Sequence, residues 1–389
     1  MTKLIQTKSI NWIVVLLVAF LVSEAFYKYL LDLHLKEYRI SGLIKFIAQI
    51  PMVYVILINH KKHKKPLKLL LLLAFLFMVS QITLSNYNLY LNIESFNNSI
   101  FIIIMLLFAD SLTLNKKQIN QIFKWFEIVI IINSIAVIIG FIFSIAYFKT
   151  YHGIRFGYSG FLIKSSYASY FSLISLFYFA HQAFILNKSK KLLFLLVAIS
   201  AIIVGTKASI LALLLCCLLL IYKNKLFLNK YFVLLLSSLL ILNIIFQEKI
   251  LISITPYIDL FFPIIEEHGI FTALFSYRNL ILQESLIPFI QSDWSFINYL
   301  IGGLGSILIK SGFDFIDIFY FFGILGGSLY IYILYLVLYI SKAPKDYICF
   351  ILFTVIIMAL AGNFFYNSSI AILMCIIKLY FQSIKEYES

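Results

Sequence analysis

Three arginines, Arg39, Arg155 and Arg278, stand among 31 basic residues. In a chain that otherwise uses lysine for positive charge, arginine is suited to what lysine cannot do: present a planar fork that bonds phosphate oxygens in pairs. The simpler role is an interfacial anchor, with the stem in hydrocarbon and the head in water. Arg39 takes that simpler role, whereas Arg155 and Arg278 sit in stretches rich in glycine and aromatic residues that favour phosphate binding. Asp314 and Asp317, spaced i, i+3, share one face of a helical turn and offer a candidate base. They could equally cap a helix N-terminus, where anions are favoured. His268 is a third candidate base by residue type, set against the ordinary role of a solvated loop histidine. No D-x-D pair, His/Cys ligand spacing or glycine-rich P-loop is present, so neither a metal, a cofactor nor nucleotide-sugar chemistry is expected.

The elements that must position these residues are membrane helices. Of 389 residues, 62% are hydrophobic and 12% charged, against about 45–50% and about 25% in soluble domains, so the solvent for most of the surface is lipid. The fold expected is all-α, one integral membrane domain over residues 1–389. Twelve crossings are read at 11–31, 41–59, 67–85, 98–114, 125–148, 166–186, 192–205, 208–222, 231–247, 318–340, 347–362 and 367–381. The basic, apolar N-terminus lacks a clear cleavage site and is kept as the first helix. An even number of crossings puts both termini on one side. That side carries 20 of the 31 basic residues, so both termini are expected in the cytoplasm. The short pair 192–205 and 208–222 is read as two helices, because a single crossing would move Lys223, Lys225, Lys230, Lys342 and Lys345 outside.

This arrangement leaves one large external loop, 248–317, in which Tyr257 to Ile265 and Leu280 to Ile290 are expected to lie as interfacial helices. The net charge of +14 is scattered between apolar segments and forms no stripe, which argues against a nucleic-acid partner. The four cysteines lie inside apolar segments and read as small hydrophobes. No internal repeat is visible, which weighs against a carrier. Of the acids within or beside apolar segments, Asp110 and Glu127 are expected to reach the interface, and Glu24 has no evident role.

Several stretches together resemble the O-antigen polymerase and ligase superfamily over roughly residues 125 to 381. Arg155-Phe-Gly-Tyr-Ser-Gly160 followed by Ser166-Tyr-Ala-Ser-Tyr170 is similar to R-F-G-x-x-G and N-x-A-S-Y, with Ser166 at the asparagine. Gly205-Thr-Lys-Ala-Ser209 resembles G-S-R-[ST], with Lys207 at the arginine. Phe275-Ser-Tyr-Arg278, Gly302-Gly-Leu-Gly305, Asp314-Phe-Ile-Asp317 and Phe322-Gly-Ile-Leu-Gly326 follow in the family's order. Ala361-Gly-Asn363 resembles A-G-H, with Asn363 at the histidine.

The resemblance implies a glycan substrate carried on a polyprenyl diphosphate in a bacterial cytoplasmic membrane. It also implies a metal-independent transfer in which cations hold the diphosphate and a base deprotonates the acceptor hydroxyl. Arg155, Lys207 and Arg278 fit the first task, since fixed cations stabilise charge developing on a departing phosphate. For the second, His152, Glu266, Glu267, His268, Asp314 and Asp317 are the external candidates, with Asp314 foremost. The reading is a Wzy-type polymerase, in contact with membrane lipid and other polysaccharide-assembly proteins. A ligase of the same superfamily and a twelve-helix flippase are the alternatives.

Overall fold

The computed structural model describes residues 11–33, 40–83, 89–151, 155–186, 188–225, 262–303 and 310–388. The helices are α1 (Trp12–Asp32), α2 (Ile40–Ile58), α3 (Lys64–Ile82), α4 (Leu89–Ser111), α5 (Lys116–Ile142), α6 (Ser165–Ala180), α7 (Lys191–Ile203) and α8 (Lys207–Lys223). They continue with α9 (Phe262–Phe275), α10 (Arg278–Ile281), α11 (Ile287–Asp293), α12 (Phe296–Ile301), α13 (Asp314–Leu338), α14 (Lys345–Ala361) and α15 (Ser368–Glu388). Among the described residues there is no strand, only one isolated bridge between Lys149 and Tyr158. Five helical segments are long and apolar enough to cross a membrane: Trp12–Asp32, Lys64–Ile82, Asn92–Ser111, Lys116–Ile142 and Asp314–Leu338. The helix expected at 231–247 lies outside the described residues, as do Arg39, His152, Leu304, Gly305 and the start of the segment expected over Tyr257 to Ile265.

Burial explains the packing. α6 is buried on every side from Ser166 to Ala180, and α15 is buried from Ser369 to Phe381. α4 is buried without interruption from Phe101 to Ala109. Helices apolar all round form the middle of such a bundle. The surrounding helices turn an apolar face outward: on α3, Leu71, Phe75, Met78 and Ile82 recur every three or four residues and are 62% to 74% exposed. Water would not tolerate that stripe and lipid does, so this is a helical membrane protein.

Helix boundaries moved where polar residues are buried by protein. α4 starts at Leu89, well before the expected 98, because Asn92, Ser95 and Ser99 face the bundle interior. α13 starts at Asp314 and thus includes both carboxylates that were placed before it. α5 runs Lys116–Ile142 and gives way to a 3₁₀ turn at Ala146–Phe148. Its start is held by a capping box, in which Asn115 accepts from the Gln118 amide and Gln118 accepts from the Asn115 amide. α7 and α8 are two helices joined by a turn at Gly205, whose φ of 70° favours glycine.

The described helix ends gather at two poles. At one, Ser111 meets His63, Lys378 meets Asp110 at 2.6 Å, and Lys223 meets Asp346 at 2.6 Å. At the other, the Tyr147 hydroxyl reaches Ala25 O, and the start of α13 meets the turn after α14. Arg155 and Arg278 belong to this second pole, called the arginine pole below.

Candidate functional site

Glycines build the floor of the arginine pole. Gly157 and Gly205 face each other: a Cβ on Gly157 would lie 2.5 Å from Val204 O, and one on Gly205 would lie 2.7 Å from Phe156 O. A backbone and a side-chain bond lock the contact, with Tyr158 N donating to Ile203 O at 3.0 Å and the Thr150 hydroxyl to Val204 O at 3.1 Å. A second glycine pair sits beside α13. Gly323 breaks that helix with φ of 67°, and its backbone lies directly against Gly302, leaving no room for a Cβ on either.

Lys28 fastens the 155–162 loop from below. Its ammonium donates to Gly160 O at 2.8 Å, Ser159 Oγ at 3.0 Å, Leu162 O at 3.1 Å and Lys149 O at 3.2 Å. Sequence reading passed over Lys28. The signal was available, since it lies within an apolar helix four residues after Glu24. Those two do not pair: Glu24 takes Lys45 and the Ser369 hydroxyl.

The three expected cations converge. Arg155 lies over the Tyr151 ring, 3.9 Å from its centroid. Lys207 opens α8 and donates to Ala273 O, to Leu274 O at 3.1 Å and to Ser276 Oγ at 3.2 Å, closing the last turn of α9. Ser276 and Tyr277 both have positive φ, at 54° and 67°, a costly pair of conformations that reverses the chain between α9 and α10. Arg278 begins the next turn and donates to Leu360 O at 2.8 Å and Ala361 O at 3.0 Å, the last carbonyls of α14. Its stem crosses Gly312, where a Cβ would lie 3.0 Å from Nε. Both Arg155 and Arg278 act electrostatically on Lys207. Burial draws the Arg278 guanidinium below its ordinary pKa, while Asp314, Tyr170, Asp317 and Tyr151 pull it back. The carbonyls engage two of five guanidinium hydrogens, so donors remain for an oxyanion.

Asp314 and Asp317 separate in role. Asp314, 1% exposed, accepts the Phe364 amide at 3.0 and 3.1 Å and the Tyr170 hydroxyl at 3.1 Å. Phe364 follows the Ala361-Gly-Asn363 turn, and Tyr170 ends the Ser166-Tyr-Ala-Ser-Tyr170 stretch, so three of the stretches singled out above meet at one carboxylate. Asp317 accepts Ser311 N at 2.8 Å, Ser311 Oγ at 2.6 Å and Gly312 N at 3.2 Å, which folds the approach to α13. Neither carboxylate caps α13's own amides; Phe313 is its N-cap and makes no side-chain bond. His268 stands apart on the exposed face of α9, 3.6 Å from Glu267, with its ring 5.7 Å from that of Tyr277.

Two residues that sequence reading did not select complete the pole. Lys310 lies 3.5 Å from the centroid of the Tyr366 ring, and Lys164 immediately precedes α6. Between α13, α14 and α15 an apolar cavity of about 610 Å³ opens to the surface, with Phe315 and Phe364 beside Asp314 at one end and Lys342 at the other. Chemically, the pole brings guanidinium and ammonium donors, a buried carboxylate and an apolar cavity together. Among the described residues no group of His, Cys, Asp or Glu is arranged to hold a metal. Comparison with family models, curated proteins and solved structures finds no match for this chain.

Proposed function

We propose that this protein joins lipid-linked oligosaccharide repeat units by metal-independent glycosyl transfer, on the outer side of a bacterial cytoplasmic membrane. The observation that carries the reading is that Arg155, stacked on Tyr151, and Lys207, bonded to Ser276, gather around Arg278, which in turn neighbours the buried carboxylate Asp314. The stretches that resemble the O-antigen polymerase and ligase superfamily are spread from residue 155 to residue 363 of the sequence, yet their described residues share this one pole. In the reaction, the bond from the sugar anomeric carbon to phosphate breaks and the diphosphate leaves with the electron pair. The acceptor hydroxyl oxygen bonds to that carbon, and its proton passes to Asp314. Fixed cations in a site partly shielded from water stabilise the departing charge. The acceptor hydroxyl would take the place of Tyr170 Oη on the carboxylate. The apolar cavity between α13 and α14 offers hydrocarbon surroundings for a lipid tail next to the reacting atoms.

The same reading carries the topology: twelve crossings, 248–317 outside, and both termini in the cytoplasm. It also carries the expected partners, membrane lipid and other polysaccharide-assembly proteins.

Purified protein in lipid, given synthetic polyprenyl-diphosphate repeat units, tests the reaction directly. The expected product is a ladder of longer lipid-linked glycans. Arg278→Ala should slow it by roughly 100 to 1,000-fold, about 2.7–4 kcal/mol of barrier, and Arg278→Lys should restore only part, having lost the fork. An Arg278→Ala protein that polymerises at the wild-type rate would leave Arg278 as a clasp on the end of α14 and nothing more.

A further inference from the structure

The apolar cavity between α13, α14 and α15 has a second end, which the transfer reaction does not use. Near Asp314 its lining is three aromatic rings, Phe315, Phe364 and Phe365. The exposed part of the lining lies toward the opposite pole, where Tyr335, Tyr339 and Ile348 are 51% to 57% exposed. On α14 the lining recurs every three or four residues from Tyr347 to Met358, a rise of about 16 Å. That is half of a hydrocarbon core about 30 Å thick, so this wall is as deep as one leaflet of a bilayer.

A polar pocket of about 700 Å³ adjoins the cavity at the pole opposite the arginines, with Lys62, Asp110 and Gln382 in its lining. Tyr339 and Ile340 line both spaces, so one short segment after α13 divides an apolar space from a polar one. The segment leads into Lys342, whose φ of 53° is uncommon for a residue other than glycine. Lys342 lines the apolar cavity, and among the described residues it has neither an ion pair nor a hydrogen bond. Lys62 donates to Asp110 O, which leaves two of its three ammonium hydrogens. Lys61 and Lys64, beside it at the turn between α2 and α3, are exposed. The pocket's one carboxylate, Asp110, is already neutralised by Lys378 at 2.6 and 2.7 Å, so the charge left over is positive.

We infer that these adjoining spaces bind one anionic phospholipid from the leaflet at that pole. A chain lies in the apolar cavity, the phosphate rests on Lys342, and the rest of the headgroup enters the pocket lined by Lys62. Each part of the site asks for one part of that ligand: a wall one leaflet deep for a chain, a polar pocket for a headgroup, an unpaired ammonium for a negative charge. A soluble anion lacks the chain, and a neutral lipid lacks the charge. The site lies away from Arg278 and Asp314, so the inference does not depend on the polymerase reading.

The test is lipid retention by purified, delipidated protein. Phosphatidylglycerol or phosphatidylcholine with identical chains is added, and bound lipid is counted by native mass spectrometry. Wild type should hold one phosphatidylglycerol, with an affinity roughly 10 to 30-fold above that for phosphatidylcholine, since each lysine near a membrane surface contributes about fivefold toward an anionic lipid. Lys342→Gln should lose about fivefold for phosphatidylglycerol alone, and Lys62→Gln with Lys342→Gln should abolish the preference. Lys342→Arg keeps the charge and should keep the preference, which guards against a folding defect. Ile351→Trp fills the cavity and should weaken both lipids. Phosphatidylglycerol with a photoreactive group midway along its chain should label wild type at cavity residues such as Ile351. Equal affinity of wild type for the two lipids overturns the inference, and so does a preference that survives in the folded double glutamine variant. Labelling confined to the outward stripe of α3, at Leu71 and Phe75, also overturns it. A photoreactive polyprenyl diphosphate that labels the cavity where phosphatidylglycerol does not would give the cavity to that chain instead and overturn it too. None of these readouts uses the polymer assay, so the failure of either reading is seen separately.

Discussion

At the pole opposite the arginines, three buried or half-buried carboxylates each meet an ammonium: Asp110 with Lys378, Glu127 with Lys190, and Asp346 with Lys223. At the arginine pole the charges are kept apart by dipoles. Asp314 and Asp317 accept backbone amides and hydroxyls, while Lys207 and Arg278 donate to backbone carbonyls. The ion pairs described on that half, Glu24 with Lys45 and the surface pair Glu267 with His268, leave Asp314 and Asp317 out. An acid neutralised by its own lysine is satisfied and serves the fold. An acid and a guanidinium each held by neutral dipoles are not neutralised by one another, which leaves both open to something that arrives later. Buried acids therefore do structural work at one pole and stand ready for a ligand at the other.

Topology gives the all-or-none way to break this comparison, since it requires the two poles to face different compartments. A reporter active only outside the cytoplasm should work when fused near residue 270 and stay silent near residue 227; the reverse pattern overturns the assignment of sides.

Paired substitutions sharpen it. Asp314→Asn keeps an acceptor for Phe364 N and Tyr170 Oη but cannot take a proton, so polymerisation should fall by about 100 to 10,000-fold with the protein still folded. Asp110→Asn strips the charge facing buried Lys378, so stability should fall by about 3–5 kcal/mol, read as a lower melting midpoint, with turnover per folded molecule unchanged. If the two variants exchange phenotypes, the division of labour between the poles is wrong.

The smallest effect concerns pH. Burial lowers the Lys310 pKa to about 8, with Lys164 adding to the fall and Asp317 and Asp314 opposing it. Below that value Lys310 is charged and adds to the pole's attraction for an anion; above it the ammonium is lost. Affinity for diphosphate should therefore weaken as pH rises through about 8, and Lys207, whose pKa burial also lowers to about 8, loses its charge over the same range. Diphosphate binding as tight at pH 9.5 as at pH 7 would contradict this.

Much of the fold was legible because lipid allows few solutions: apolar length marked most helices, and the break at Gly205 separated α7 from α8. Boundaries failed where protein takes the place of lipid. Asn92 and Ser95 read as the outside of a membrane, yet they are buried against neighbouring helices, and Asp314 read as loop although Phe364 and Tyr170 make a carboxylate tolerable inside α13. Asp110 and Glu127, expected to reach for the interface, also pair with lysines, which the sequence did not show. In the site, the arginines stood out by rarity. Lys28, Lys164 and Lys310 did not, because lysine is the background cation of this chain. What sets them apart is what surrounds them, four acceptors for Lys28 and an aromatic ring for Lys310, and that is a property of the folded molecule.

The contacts of Gly157 with Gly205 and of Gly302 with Gly323 join main chain to main chain. Most packed pairs can drift together, one side chain growing as its partner shrinks. A glycine facing a glycine has nothing to shrink, so no change at one position is compensated at the other. The side chains around the pole are free to vary and refit a different ligand. These two joints hold the frame still while that happens, and they divide the molecule into parts that can change their chemistry and parts that cannot.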